Sequence, residues 1–341
     1  MAGWGFFRRL KRGMDVSGDT EYSASLAMLS DSSARRNFNP YTDIDWDAPE
    51  FGITADDPRW ILAPDDALGR HPWYQAQPVD KQIAMGMWRQ ANMAKVGTQF
   101  EGILIRGLVH YIFWVPNGSP EYRYCMHEAI EEGNHTLMFQ ELVNRIGVDV
   151  PGMPRWLRVL SPVVPFYAGV VPNSFFFGVL AGEVPFDYLQ TNALREDATI
   201  HPAVKRMIAI HVAEEARHIS FAQEYLTRRI PNVSRVTRWW LSLFVPIVMR
   251  MLGQAMIVPP RSFYRKFGVP RSARKRAFFG SAESRQAWRD MFADVRMLCH
   301  DLGLMNPAAR MMWRLCRIGG APSRYRNEPR RERPQVRLAG V

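Results

Sequence analysis

Apolar positions recur three and four residues apart through the middle of the chain, which is the spacing of helices that bury one face. The longest such stretch covers residues 80–113 and ends at a Pro-Asn-Gly cluster that begins at Pro116. The same spacing, with proline and glycine at the boundaries, predicts further helices: 21–35, 120–145, 174–195, 202–229, 233–256, 282–302 and 307–317. No stretch alternates with period two for long enough to predict a sheet, so the predicted fold class is all-α.

The segments between the helices carry different signals. Residues 39–47 are rich in aromatic side chains, which are costly to leave in water, and predict an ordered, extended arm. Residues 58–78 and 151–172 are punctuated by proline and predict loops with short turns. The longest uncharged run, 159–182, has the length of a membrane span, but three prolines interrupt it. We expect a buried loop and helix there rather than a span.

The composition is that of an ordered globular protein, since 47% of the 341 residues are apolar and 12% are aromatic. A chain of this length can form one large domain with a well-buried core. Cys125, Cys299 and Cys316 are far apart and form no Cys-x-x-Cys pair, which argues against a disulfide framework or a zinc ribbon. A reducing, cytoplasmic location is therefore expected.

The net charge of +11 is unevenly placed along the chain. Arginine and lysine crowd residues 8–12 and 324–337, and such terminal runs are usually solvated tails. No nucleic-acid-binding motif accompanies them, so we expect no nucleic-acid partner. The expected organisation is an N-terminal arm that packs on the bundle (1–60), a single helical domain (61–320) whose core bundle covers about 79–230, and an Arg-rich, disordered tail (321–341).

A strongly apolar helical segment, 239–256, is flanked by Arg235, Arg238 and Arg261. A helix of this kind can belong to the protein core or can lie on an anionic membrane surface. We expect it to form core and the interface of a homodimer rather than to contact a membrane.

The candidate chemistry begins in the predicted helix 202–229. His211, Glu215 and His218 are three and four residues apart there, so their side chains project from one face. Apolar residues, Ile208 among them, share that face and predict that it points inward. Burying these groups without partners would cost on the order of several kcal/mol. Either a His–Glu hydrogen-bond cluster or a bound metal would compensate for that cost.

Three other predicted helices supply matching groups. Glu132 and His135 repeat the Glu-x-x-His spacing found in 202–229, and the chain has no third pair of this kind. Glu101 and Glu183 are lone acids within apolar runs, where a solvated charge is not expected. The order Glu, Glu-x-x-His, Glu, Glu-x-x-His along four helices predicts a di-iron carboxylate site inside a four-helix bundle.

Neighbouring acids leave some roles open. Asp187 lies one turn after Glu183 and is either the ligand from that helix or a partner that orients a histidine. Pro185, between the two acids, predicts a kink in the helix. Glu128 is expected to support the site from behind the ligands. Two more acids are expected to face away from it: Glu131 and Glu214.

With these residues, the chain resembles the p-aminobenzoate N-oxygenase (AurF-like) family of di-iron arylamine oxygenases over roughly residues 79–230. The most telling feature is His211 ahead of Glu215 and His218, because a third histidine in this helix is typical of that family rather than of ferritins or acyl desaturases. The segment 39–47 is also similar to the family's N-terminal region. The resemblance implies a ferritin-like di-iron four-helix bundle with additional N- and C-terminal helices.

The resemblance also implies a role for each candidate ligand. Glu132 and Glu215 would bridge two irons. Glu101 and His135 would complete the ligand set of one iron. The ligand set of the other would be completed by Glu183, His211 and His218. Carboxylate and imidazole ligands with open positions suit iron that binds O2. A mixed Mn/Fe pair stays open as an alternative.

The implied function is that of an O2-dependent monooxygenase, which passes an oxygen atom from a peroxo-level intermediate to the nitrogen of an aromatic amine. The sequence has no nucleotide-binding motif, so an external ferredoxin or reductase would supply the electrons. Two other functions fit the same residues. They are hydroxylation or desaturation of an aliphatic, lipid-like substrate, and ferritin-like iron binding without catalysis.

Overall fold

The computed structural model describes residues 20–195 and 200–321. Within these ranges the chain forms helices and no strand, which confirms the all-α prediction. The basic runs at both ends, and the predicted tail from residue 322 onward, lie outside the described residues. The helices are α1 (Thr20–Arg35), α2 (Pro72–Gln75), α3 (Val79–Ile112), α4 (Pro120–Ile146), α5 (Arg155–Leu160), α6 (Phe166–Val170), α7 (Pro172–Arg195), α8 (Pro202–Arg229), α9 (Arg235–Ile257), α10 (Arg261–Phe267), α11 (Arg271–Lys275), α12 (Ala282–Asp290), α13 (Ala293–Asp301) and α14 (Pro307–Leu315).

Four long helices form the central bundle. α3 and α4 pack along each other and are joined by a short turn, while α7 packs along α8. α8 also contacts α4, which brings the two pairs together around a common centre. Such a bundle places the inward faces of all four helices close together, so that side chains from each can share one site.

The ends of the bundle helices follow from local sequence. α4 begins at Pro120, whose missing N–H suits the first helical position. It ends at Gly147, which adopts the left-handed conformation with φ 69° that favours glycine. At the start of α8 the His201 side chain accepts a hydrogen bond from the Ala203 N–H at 3.3 Å. These caps explain why the predicted bounds 120–145 and 202–229 agree closely with the structure.

Further helices cover the bundle from outside. α1 packs on α4 and α8, and α9 packs on α7. The inner side of α9 is part of the core, where Val245 and Met249 are fully buried. α14 in turn packs on α9. The bundle therefore has the additional N- and C-terminal helices that were expected.

Two segments differ from the predictions. The arm at 39–47 is a series of turns rather than an extended segment, because the Trp46 indole N–H donates to the Pro40 carbonyl at 2.7 Å and folds the chain back. The helix predicted over 282–302 is interrupted and forms α12 and α13. Pro185 lies inside α7, and the kink expected there stays a prediction.

The uncharged run 159–182 is only half buried. Its second part, in α7, is buried as predicted, with Phe176 and Phe177 fully enclosed. Its first part is exposed, since Val159 and Phe166 point to solvent. That first part forms an outer layer on α3, and no described element covers its outward side.

Candidate metal centre

All seven predicted ligands lie in one cluster at the centre of the bundle. α3 contributes Glu101, α4 contributes Glu132 and His135, α7 contributes Glu183, and α8 contributes His211, Glu215 and His218. Each of these side chains is no more than 2% exposed. The helical spacing therefore predicted which residues of four distant segments meet.

Glu215 is the geometric centre of the cluster. Its Oε1 lies 3.3 Å from Nε2 of His211, and 3.4 Å from Nδ1 of both His135 and His218. Carboxylates from other helices flank the same rings, with Glu132 Oε1 2.9 Å from His218 Nδ1. Polar atoms from the paired helices thus converge on a shared space.

Two groups of side chains have ligand atoms within 4.8 Å of one another. They are Glu101, His135, His211 and Glu215, and Glu132, Glu215 and His218. The groups share Glu215, as expected of a bridging ligand. The ring of His211 lies beside Glu101, at 3.2 Å from Nε2 to Oε1, whereas the resemblance assigns His211 to the iron held by Glu183 and His218.

A second layer of acids holds the histidine rings, and it contradicts the prediction that Glu131 and Glu214 face away. Nε2 of His135 lies 2.9 Å from Glu214 Oε2, and Nε2 of His218 lies 2.8 Å from Glu131 Oε2. A carboxylate only accepts, so these contacts are hydrogen bonds when each Nε2 carries the proton. Each Nδ1 then faces the carboxylates of Glu132 and Glu215 and is available to a metal. The prediction was wrong because α4 and α8 lie close together. Each helix therefore buries both of its adjacent acids, which are Glu131 and Glu132 in α4 and Glu214 and Glu215 in α8.

The two supporting acids are exchanged between helices. Glu131 of α4 binds the histidine of α8, and Glu214 of α8 binds the histidine of α4. Arg217 contacts both acids, with NH2 at 2.7 Å from Glu131 and 3.3 Å from Glu214. This guanidinium balances two negative charges at the edge of the buried site.

The third histidine has a different support, which sequence reasoning missed. Nδ1 of His211 lies 2.8 Å from the side-chain oxygen of Gln190 in α7. A ring N–H that donates there leaves Nε2 facing Glu101 and Glu215. Gln190 is seven residues after Glu183, two helical turns along the same face, and that spacing was the signal available in the sequence.

The structure also shows the surroundings of three further acids, which are Asp187, Glu183 and Glu128. The Asp187 carboxylate accepts from the Thr191 hydroxyl at 3.3 Å, and neither Asp187 nor Glu183 belongs to the two groups of ligand atoms. Glu183 is fully buried, and burial together with the nearby Glu215 raises its pKa well above the usual range. Glu128 is fully buried with neither oxygen hydrogen-bonded, and burial raises the pKa of its carboxyl well above the usual range, so its supporting role stays a prediction.

Comparison with known proteins identifies the family. A sequence model of the p-aminobenzoate N-oxygenase AurF family matches residues 19–303. This chain belongs to that family. It is also 62% identical over 325 residues to the uncharacterized protein Rv0885 of Mycobacterium tuberculosis and to the uncharacterized protein Mb0909 of Mycobacterium bovis. Each match covers 95% of this chain and 96% of the relative. At the family level, membership in AurF implies a di-iron oxygenase that acts on a small molecule with O2.

The donor atoms fit the iron pair of the AurF family. Several buried ligand atoms have no hydrogen-bond partner: Glu101 Oε2, Glu132 Oε1, Glu183 Oε1, both oxygens of Glu215 and His218 Nδ1. Buried polar atoms are rarely left so, and cations would satisfy all of them at once. Four ligand carboxylates also carry the negative charge that two divalent ions would balance.

The electrostatics of Glu101 and His211 agree with a metal site, whereas the surrounding carboxylates outweigh burial and raise the pKa values of His135 and His218. Burial and the neighbouring Glu132 raise the pKa of Glu101 well above its usual range, because another charge there is unfavourable without a cation. Burial lowers the pKa of His211 to about 4, so its ring is neutral at neutral pH. A neutral imidazole is the form that binds a metal.

A cavity of about 590 Å³ is lined by Gln190, which holds His211, and by Trp60, Met93 and Ile208. None of the seven predicted ligands lines it. Four phenylalanines pack in the core and do not line the cavity: Phe100, Phe175, Phe176 and Phe177.

Proposed function

We propose that this protein is an O2-dependent di-iron monooxygenase that oxidises the nitrogen of an aromatic amine. The observation that carries the proposal is the cavity beside Gln190, whose side chain also holds His211 at 2.8 Å. Gln190 thus links the cavity lining to one of the proposed ligands. Its volume is within the range of about 300–1,000 Å³ that is usual for small-molecule sites.

The proposed ligands are the seven side chains at the centre of the bundle. When bound, the iron pair would supply the activation of O2, which amino-acid side chains alone do not provide. The protein itself holds the metal ligands in position. Glu131 and Glu214 hold two histidine rings through Nε2, Gln190 holds the ring of His211, and the apolar bundle excludes bulk water.

The cavity walls favour a compact, polar-substituted ring over a long acyl chain. Trp60 and Met93 offer flat apolar contacts. Arg89 is 4% exposed and forms an ion pair with Asp66 at 2.8 Å, so the cavity lining also carries buried charge. Burial raises the pKa of the Asp65 carboxyl in the same lining. Polar walls of this kind are costly to cover with an aliphatic chain.

Each turnover consumes electrons and protons as well as O2. The sequence has no nucleotide-binding motif, so we propose that a ferredoxin or a separate reductase delivers the electrons. Reduced ferredoxin and a chemical reductant should both support turnover, and NADH alone should not.

The deciding experiment combines iron content with substrate-dependent O2 uptake. After anaerobic loading with Fe(II), we expect about two irons per chain. With reductant and O2, p-aminobenzoate and related anilines should increase O2 uptake and give N-oxygenated products by mass spectrometry. His211→Ala should lower both iron content and product. His300→Ala, which changes an exposed histidine of α13, is the matched control and should change neither.

Each contrary outcome has a definite meaning. Two irons with O2 uptake that responds to fatty acyl compounds alone would establish an aliphatic hydroxylase or desaturase. Iron uptake without any effect of substrate, together with assembly into a cage seen by light scattering, would establish an iron-storage protein. A protein that binds no iron would leave a helical scaffold with buried His–Glu pairs.

A further inference from the structure

Large apolar side chains are exposed along two neighbouring parts of the molecule. One is the layer formed by α5 and α6, and the other is the outward side of α9. The most informative residues are Trp156, Val159 and Phe166 in the first part and Trp239, Trp240 and Met251 in the second. We name these two parts together the outer apolar face. Val159 is 68% exposed and Trp239 is 55% exposed, values that core residues do not have.

The two parts adjoin each other. On their inner sides, Leu157 of the α5 layer and Met256 of α9 belong to one buried cluster, and Val164 and Leu252 pack against it. The layer of α5 and α6 also packs on α3, where the ring of Phe166 lies 5.5 Å from the ring of His110. The layer of α5 and α6 therefore adjoins the C-terminal end of α9, and the outward side of α9 extends the exposed apolar surface to Trp239 and Trp240.

The charge of this face has one sign. Residues 150–182 contain no Asp or Glu, and neither do residues 225–282. Arginines lie among the apolar side chains instead, and Arg155, Arg158 and Arg235 are exposed. A partner that binds the outer apolar face would therefore need both an apolar region and negatively charged groups.

The face is suited to lie on a membrane rather than to cross one. Within the described residues, the stretch Arg235–Phe267 is long and apolar enough for a span, with a mean hydropathy of 1.8. However, 61% of its most apolar window is buried, because α9 packs against α7 and α14. Only its outward side is free, which is the arrangement of a helix bound in the plane of an interface.

A second copy of the chain is the main rival occupant. A two-fold interface places the same surface patch opposite itself. Arginines would then meet arginines, and the face has no acidic residue to pair with them. An anionic bilayer offers complementary charge, and tryptophan side chains favour its polar–apolar boundary.

From these observations we propose that the outer apolar face binds the surface of an anionic lipid bilayer. The exposed tryptophan and aliphatic side chains would enter the boundary between headgroups and acyl chains. Arg155, Arg158 and Arg235 would contact the lipid phosphates. The segment 239–256 was expected to form core and a dimer interface, and its inner side is part of the core. This proposal replaces the dimer interface on its outward side, and a dimer through another surface stays a prediction.

The test uses the full chain and vesicles of stated composition. The protein should sediment with phosphatidylglycerol–phosphatidylcholine vesicles but not with pure phosphatidylcholine, and added salt should weaken the binding. The variant Arg155→Gln with Arg158→Gln should bind roughly 25-fold more weakly, because each arginine near an anionic surface contributes about a factor of five. Trp239→Ser with Trp240→Ser should also weaken binding.

The matched control changes exposed apolar residues on another side of the molecule. Ile130 and Leu137 of α4 are 47% and 46% exposed, and replacing both with serine should leave vesicle binding unchanged. Iron content and the far-ultraviolet circular dichroism spectrum should be the same for all variants, which shows that they fold.

Three results would overturn the proposal. The first is absence of binding to anionic vesicles. The second is equal binding by every variant, which would assign the interaction to the basic ends of the chain. The third is a lipid-free dimer that Trp239→Ser with Trp240→Ser converts to a monomer in light scattering, which would assign the face to a second copy.

Discussion

At the scale of single residues, the candidate site depends on how three histidine rings are held. Two rings donate to acids from the opposite helix, and the third donates to Gln190 of α7. Each bond fixes which ring nitrogen faces the centre. A metal site built this way needs its supporting acids nearly as much as its ligands.

The first prediction concerns these supports. Glu131→Gln and Glu214→Gln should each lower iron affinity by about 10–100-fold, because the histidine loses an anionic acceptor that orients its ring. Competition between the protein and a chelator for Fe(II) under anaerobic conditions measures the affinity.

The control for this pair is Glu141→Gln, also on α4, whose carboxylate pairs with Arg145 at 2.7 Å away from the site. It should keep full iron affinity. If Glu131→Gln and Glu214→Gln bind iron as tightly as Glu141→Gln does, the hydrogen bonds to the two histidines do not support the metal.

At the scale of elements, the close contact between α3 and α7 positions two of the carboxylates. A Cβ atom at Gly182 would lie 1.8 Å from the ring of Phe100. Gly182 precedes Glu183, and Phe100 precedes Glu101. The contact between a glycine and an aromatic ring therefore sets how closely the two acids approach.

The second prediction follows from that contact. Gly182→Ala should lower the free energy of unfolding by about 1–3 kcal/mol, because the ring of Phe100 must move within a packed core. A Cβ atom at Gly178, on the same helix, would have no neighbour within 4 Å. Gly178→Ala should therefore leave the stability unchanged or raise it by up to about 1 kcal/mol.

Urea denaturation of the two variants measures the difference. The expected order of stability is Gly178→Ala, then the unchanged protein, then Gly182→Ala. If the two substitutions have equal effects, Phe100 moves without cost and the α3–α7 contact does not constrain the acids.

At the scale of the whole molecule, the bundle encloses more negative charge than its own cations balance near the centre. Glu101 and Glu183 both have raised pKa values because they are buried beside other acids. Folding without metal therefore keeps unfavourable groups together. Metal ions that bind the native state alone would relieve this and stabilise the entire fold.

The third prediction is that iron removal destabilises the protein. Anaerobic Fe(II) at a large excess over its dissociation constant should raise the thermal midpoint by roughly 5–10 °C relative to chelator-treated protein. The variant Glu132→Ala with Glu215→Ala should not respond to iron. A full response in this variant would place the metal elsewhere, and scanning calorimetry gives the measurement.

The sequence by itself determined the helices and the residues that meet between them. The predicted helices 80–113, 120–145 and 202–229 correspond to α3, α4 and α8, because helix periodicity and end signals are local properties of the chain. The ligand spacing is local too. Side chains three and four positions apart share a face in any helix, so Glu132 with His135, and His211 with its neighbours, were identifiable before the fold was known.

Only the tertiary structure decided what surrounds those faces. Glu131 and Glu214 are buried because a facing helix covers them, and nothing in their own helices distinguishes them from solvated acids. The bond from His211 to Gln190 joins two helices in the same way. The outward side of α9 is exposed because no described element packs on it. Burial is a property of neighbours that are distant in sequence, whereas periodicity records only that a face is apolar.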